Sequence, residues 1–218
     1  MKPVYLIASK PFADLAADAS HFWGNPSLPE GMEYPQYTDD EGEDFPYVFI
    51  CQINLRDLKT FCGDSQYLLP EDGLLLFFAR IDHYLGQFAA TDCMGGFISA
   101  PDAVKVIHVR NCDNLREVVL VDDDDLPLSP EALEITFTHK HDALRDDDHC
   151  LMAPPTHREW ESWDHPYEDR IILLQVDSFS GGDFNLNFMD FGVLDFLISP
   201  RALQKADFSD VRGIVLST

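Results

Sequence analysis

Apolar residues in this chain fall into short runs separated by acidic and proline-rich stretches, and two of the runs hold a lone glutamine. "YVFICQINL" (47–55) carries Gln52, and "RIILLQVDS" (170–178) carries Gln175. Runs of this length, rich in Val, Ile, Leu and Phe, predict apolar strands. The first predicts a strand over 47–53 and, behind it, a short helix in "NLRDLKTF" capped by Asn54. "LLPEDGLLLFFARI" predicts a turn at 70–73 and a strand over 74–81. "AVKVIHVR" and "EVVLV" are further strands, and "EALEITFTH" alternates Leu133, Ile135 and Phe137 as a half-buried strand does. "MDFGVLDFLI" repeats the turn-plus-strand pattern. "SPRALQKADF" is a helix with Ser199 as cap and Pro200 at its first position, and "RGIVLS" is a terminal strand.

The remaining stretches have other patterns. "SKPFADLAADAS" (9–20) places Phe12, Leu15, Ala16 and Ala19 at helical spacing behind Ser9, which predicts a short amphipathic helix. Residues 23–46 contain Pro26, Pro29, Pro35 and Pro46 and read as an ordered loop pinned by Trp23, Leu28, Met32 and Tyr34. Residues 139–169 are polar and irregular, with some helix expected near Trp160.

The two glutamine runs are each followed by a turn and a strand. Gln52 leads to Gly73, Leu74 and Phe77; Gln175 leads to Gly192, Val193 and Phe196. This points to an internal pseudo-duplication within a single compact domain (1–218), with repeat-like halves near 21–121 and 126–218. The expected fold class is α+β: β-rich, with mostly antiparallel sheets and a few short helices. Gln52, Gly73, Gln175 and Gly192 are the structural repeat positions. A buried amide without partners costs about 1–3 kcal/mol, so each glutamine is expected to bond loop backbone and tie the proline-rich segment to the sheet. Contact with a ligand is the alternative.

Taken in order, "FWGNPSLP", the run into "QINL", "LPEDGLLLFF", "IILLQVDS", and "FMDFGVLDFLISPRAL" with "DFS" resemble the YwqG-like family of bacterial proteins. That family pattern has a Gly-x-Pro-x-x-Pro segment, a QIN strand, an LP-x-x-G-x-L-x-F-F strand, and a late Gly-Asp-x-Gly-x-Leu-x-Phe-x-Ile strand. The matches run from about residue 21 to residue 210. Met189 stands where the family has a Gly, and the second Gly-x-Pro is reduced to "APP". The resemblance implies a sheet-rich α+β fold with an internal repeat. It implies no activity, although the toxin-operon neighbourhood of some relatives makes toxin neutralisation a family-level expectation.

Charge narrows the function classes. The net charge is −24, which repels phosphates and anionic membranes and favours a basic protein partner. Solubility alone is the plainer reading of that charge. There are 5 Cys with no CxxC pair, which argues against a zinc ribbon or a disulfide framework and fits a reducing, cytoplasmic setting. No apolar run approaches the ~18 residues of a membrane span.

Motif chemistry is sparse. No P-loop, G-x-S-x-G, H-E-x-x-H or G-x-G-x-x-G occurs, so no catalytic residue is assigned and no cofactor is expected. The densest ligand-type cluster is His139, His141, His149 and His157, with Cys150 and Asp146 to Asp148 among them. "HKH" on a strand would put two imidazoles on one face, a usable metal pair. A solvated loop competes with that reading. "VDDDDLPLSPE" lacks the glycine of a calcium loop and reads as a solvated turn. Three functions remain: an acidic binding protein for a basic partner, antitoxin- or immunity-like; a metal-binding protein or metal-dependent enzyme using the His cluster; or a small-molecule-binding module. The first is favoured.

Overall fold

The computed structural model describes residues 1–63, 67–81, 98–141, 148–155, 169–180, 185–188 and 191–216. The chain opens with β1 (Val4–Ser9), β2 (His21–Phe22) and β3 (Ser27–Pro29). A hairpin of β4 (Gln36–Thr38) and β5 (Asp44–Pro46) leads to β6 (Val48–Asn54), α1 (Leu55–Cys62), β7 (Leu74–Ala79), β8 (Val104–Val109) and β9 (Leu115–Glu117). Then come β10 (Leu133–Thr138), β11 (Cys150–Leu151), β12 (Ile171–Asp177), β13 (Phe179–Ser180) and β14 (Asn185–Leu186). β15 (Val193–Ile198), α2 (Pro200–Gln204) and β16 (Arg212–Leu216) complete the order.

The fold is mostly β, which overturns the α+β expectation: 43% strand and 8% helix, with 2 helices among the described residues. Ten strands form one antiparallel sheet in the order β16-β15-β12-β11-β1-β10-β2-β6-β7-β8. It nearly closes into a barrel. At the seam Ser99 clamps β16: its amide donates to the Gly213 carbonyl at 2.8 Å, and the Gly213 amide donates to Ser99 Oγ at 2.8 Å.

Both helices form where their caps predict. Asn54 accepts from the amides of Arg56 and Asp57, and Ser199 accepts from Ala202 with Pro200 at the first position. The expected helix over 9–20 is absent. β1 takes its first residue and the rest is irregular, with Phe12 fully exposed. The carbonyls of Ala17, Asp18 and Ala19 accept from the side chains of Gln52 and Asn54, so tertiary amides hold this segment in an irregular path. The strand expected at 117–121 is also displaced. Leu115–Glu117 pairs as a strand against β3, Val121 makes an isolated bridge to Pro127, and Val119 and Val121 stand exposed.

The core lies inside the curve of the sheet. Alternate residues Leu75 and Phe77 of β7 and Leu194 and Phe196 of β15 point inward, and the Phe77 and Phe196 rings meet edge-on at 5.3 Å. The opposite face of β7 is apolar too. Leu74, Leu76 and Phe78 pack under Leu28, Tyr47 and Phe49. Burial on both faces explains the unbroken "LLLFFA" run.

Candidate functional site

Gln52 is fully buried beneath the proline-rich segment. Its Oε1 accepts from the Ser27 amide at 3.0 Å, and its Nε2 donates to the carbonyls of Ala17 at 2.9 Å and Ala19 at 2.8 Å. Beside it the Asn54 amide donates to Ser20 Oγ. Gly73 has φ of +98°, and a Cβ there would run into the Val109 carbonyl oxygen. At the other end of the sheet, Gln175 donates to the Asp148 carbonyl at 3.0 Å, and the Asp177 amide donates to His149 Nδ1 at 3.0 Å. Gln175 lies opposite Asp195 in the ladder, whereas Gln52 lies opposite Leu76. A Cβ on Gly192 would run into the Leu216 carbonyl oxygen.

The structure does not gather the described histidines of the cluster. β10 ends at Thr138, so "HKH" leaves the strand before either imidazole. His139 Nδ1 bonds the Pro3 carbonyl at 3.0 Å, with its ring against Phe61. His141 meets Asp148 at 3.4 Å and the Tyr5 ring edge-on. His149 is buried, its ring 4.5 Å from that of Phe22. His157, together with Trp160 and Trp163, lies outside the described residues. Among the described residues no group of three or more His, Cys, Asp or Glu is placed to hold a metal ion. The aspartate turn is an Asx turn, in which Asp122 Oδ1 accepts from the amides of Asp124 and Leu126.

Two cavities flank the β2–β6 region. The first, about 230 Å³, is lined by Trp23, Tyr34, Tyr37, Phe45, Tyr47 and Phe49, with Leu120 and Leu128 on its other side. Tyr37 and Phe45 face each other across the β4–β5 hairpin, stacked at 5.9 Å. The Arg80 guanidinium lies over the Tyr37 ring at 4.6 Å. Tyr34 donates to the Tyr47 carbonyl at 2.9 Å, and burial pushes its phenol pKa up. Both hairpins that frame the cavity carry acidic turns. Asp39 to Asp44 holds five acidic residues, and Asp122 to Asp125 holds four. Phe45 and Leu128, both in the lining, stand exposed at its mouth. The sequence carries a signal for this hairpin: "QYTDDEGEDFP" puts an aromatic on each side of an acidic turn.

The second cavity, about 510 Å³, has a mixed polar and apolar lining. One wall is the irregular strap of residues 10–17, and His21, Asn25, Ser27 and Glu117 form another. His21 is 5% exposed and its Nδ1 sits 2.8 Å from the Trp23 carbonyl. Burial lowers its pKa, against the opposing pull of the Trp23 and Phe22 carbonyls and of Glu117. No pattern in the sequence singles out His21, which is flanked by Ser20 and Phe22 like any strand residue.

No curated protein matches the chain. The family model described as "Domain of unknown function (DUF1963)" matches residues 20–215, a span that starts beside His21 and ends in β16. The chain belongs to that family.

Proposed function

We propose that the chain is a non-enzymatic binding protein for a basic partner protein, with the aromatic cavity as its anchor point. The observation that carries the reading is the position of that cavity between two acid-tipped turns, with apolar side chains exposed at the rim. At about 230 Å³ it is smaller than the roughly 300–1,000 Å³ of ordinary small-molecule sites. That size suits one aromatic or aliphatic side chain, as at the centre of a protein interface. The exposed apolar rim fits an interaction surface. The acidic turns would meet basic residues around the anchor and speed encounter. A cytoplasmic, neutralising role of the kind the YwqG-like resemblance implies fits this reading.

The test uses three baits in lysate at low salt: wild type, Tyr37→Ala, and Asp123→Asn with Asp124→Asn. Asp122 stays intact because it shapes its turn. Bound protein is eluted by a salt step and identified by mass spectrometry. The expected result is one basic protein held by wild type, lost from Tyr37→Ala and released at lower salt from the double variant. Equal retention by all three baits, or no protein retained, overturns the proposal.

A further inference from the structure

We propose that the second cavity, between residues 10–17 and the His21–Glu117 wall, is a separate binding site for a small organic cation carrying an ammonium or guanidinium group. His21 lines it. A carbonyl oxygen only accepts, so the 2.8 Å contact to Trp23 places the proton on Nδ1. In the neutral ring Nε2 then holds a lone pair. Asn25 donates its Nδ2 to Glu117 at 2.8 Å, while its Oδ1 is buried and unpartnered. A flipped amide would turn Oδ1 toward the Glu117 carboxylate, so the assignment is fixed by charge.

The remaining groups have the same sense. Glu117 and Asp14 are carboxylates in the lining, and Lys10 is paired with Glu131 at 2.9 Å. The cavity therefore presents the His21 Nε2 lone pair and carboxylates. A ligand rich in N–H donors would meet the lone pair and the carboxylates together. An anion would meet lone pairs and negative charge. The volume of about 510 Å³ falls within the range of small-molecule sites, unlike the aromatic cavity. The Gln52 hydrogen bonds to Ala17 and Ala19 hold the strap that forms the facing wall, so the site is preformed.

Agmatine and putrescine are the probes, titrated calorimetrically into the full chain at about 0.3 M salt, where attraction to the net charge is screened. The expected result is saturable one-to-one binding of at least one probe, weakened at least about tenfold by Glu117→Gln. Asn25→Leu weakens it too, and Tyr37→Ala in the other cavity leaves it unchanged. Binding shifts the ¹⁵N resonance of His21 Nε2, a readout that surface association would not move. Glu117 is exposed, so its variant retains the fold, as a matching thermal melt would verify. No saturable heat with either amine, or equal binding by wild type and both cavity variants, overturns the proposal. Binding of Zn²⁺ alone, with both amines inert, overturns it as well.

Discussion

The two ends of the sheet place different chemistry in matching backbone positions. From one edge the strands run β8-β7-β6-β2-β10, and from the other β16-β15-β12-β11-β1. Both ends have a bulge before the glutamine, at Phe49/Cys51 and Ile172/Leu174. Trp23 and Met152 both take φ of 54°, and each donates its amide to the bulged residue, Ile50 or Leu173. The amide after each glutamine pair needs an acceptor. Ser20 Oγ supplies it to Asn54, and His149 Nδ1 supplies it to Asp177. One end fills its polar positions with neutral groups: Ser20, Gln52 and Asn54. The other uses His149, Gln175 and Asp177, with a buried Asp195 where the first has Leu76. The backbone sets where an acceptor must stand, and leaves its chemistry open.

The glycines offer the strongest way to break this match. Gly73→Ala and Gly192→Ala each drive a Cβ into a carbonyl oxygen of the neighbouring strand. Both are expected to lose roughly 3–5 kcal/mol. Gly73→Ala should lose more, because its φ of +98° adds a backbone strain of about 1–3 kcal/mol. Urea unfolding checks the order, and equal midpoints would show that the positive φ carries no weight. Gln52→Leu comes next. It strands the Ser27 amide and the carbonyls of Ala17 and Ala19, for an expected loss of roughly 2–4 kcal/mol. Hydrogen exchange should rise first in residues 15–30. Uniform exchange across the sheet would mean that Gln52 does not hold that segment.

The caps sharpen the comparison at smaller scale. Ser199→Ala removes one accepted bond from α2 and should cost about 1 kcal/mol. Asn54→Ala should cost about twice that, because Asn54 also donates to the Asp18 carbonyl. Thermal melts of the two variants decide between them, and equal losses would mean that the Asp18 tether contributes nothing.

What was legible in the sequence follows from range. The longer strands and both caps rest on local pattern: "LLLFFA", "IILLQVD" and the Ser199–Pro200 pair declare themselves within a few residues. β2 and β11 are two residues long and hold the middle of the sheet through partners far along the chain. No local period marks a strand that short. The 9–20 segment has a helical apolar pattern, yet Gln52 and Asn54 take up three of its carbonyls from more than 30 residues away. His21 and Asn25 carry no signal because what marks them is their place in the folded cavity.

The smallest effect is the one that separates the two ends by sign. His21 and Cys150 occupy matched places, opposite Gln52 and Gln175 in their ladders. Burial keeps both neutral, but one is a base and the other an acid. Burial lowers the folded pKa of His21, so below about pH 6.5 the unfolded chain binds a proton that the native one refuses, and stability falls as pH falls. Burial pushes the Cys150 thiol up to about 12, with Asp148 adding to the effect. Above about pH 8.5 the unfolded thiol ionises first, and stability falls as pH rises. Each group alone contributes a slope of at most about 1.4 kcal/mol per pH unit. Cys51 is also pushed up by burial and adds to the alkaline slope, so the reading must be a difference between variant and wild type. His21→Gln should flatten only the acid limb of a stability profile taken between pH 5 and 10, and Cys150→Ser only the alkaline limb. If either substitution flattened both limbs, the two ends would be electrostatically coupled through the sheet, and their match would be one of charge as well as of backbone.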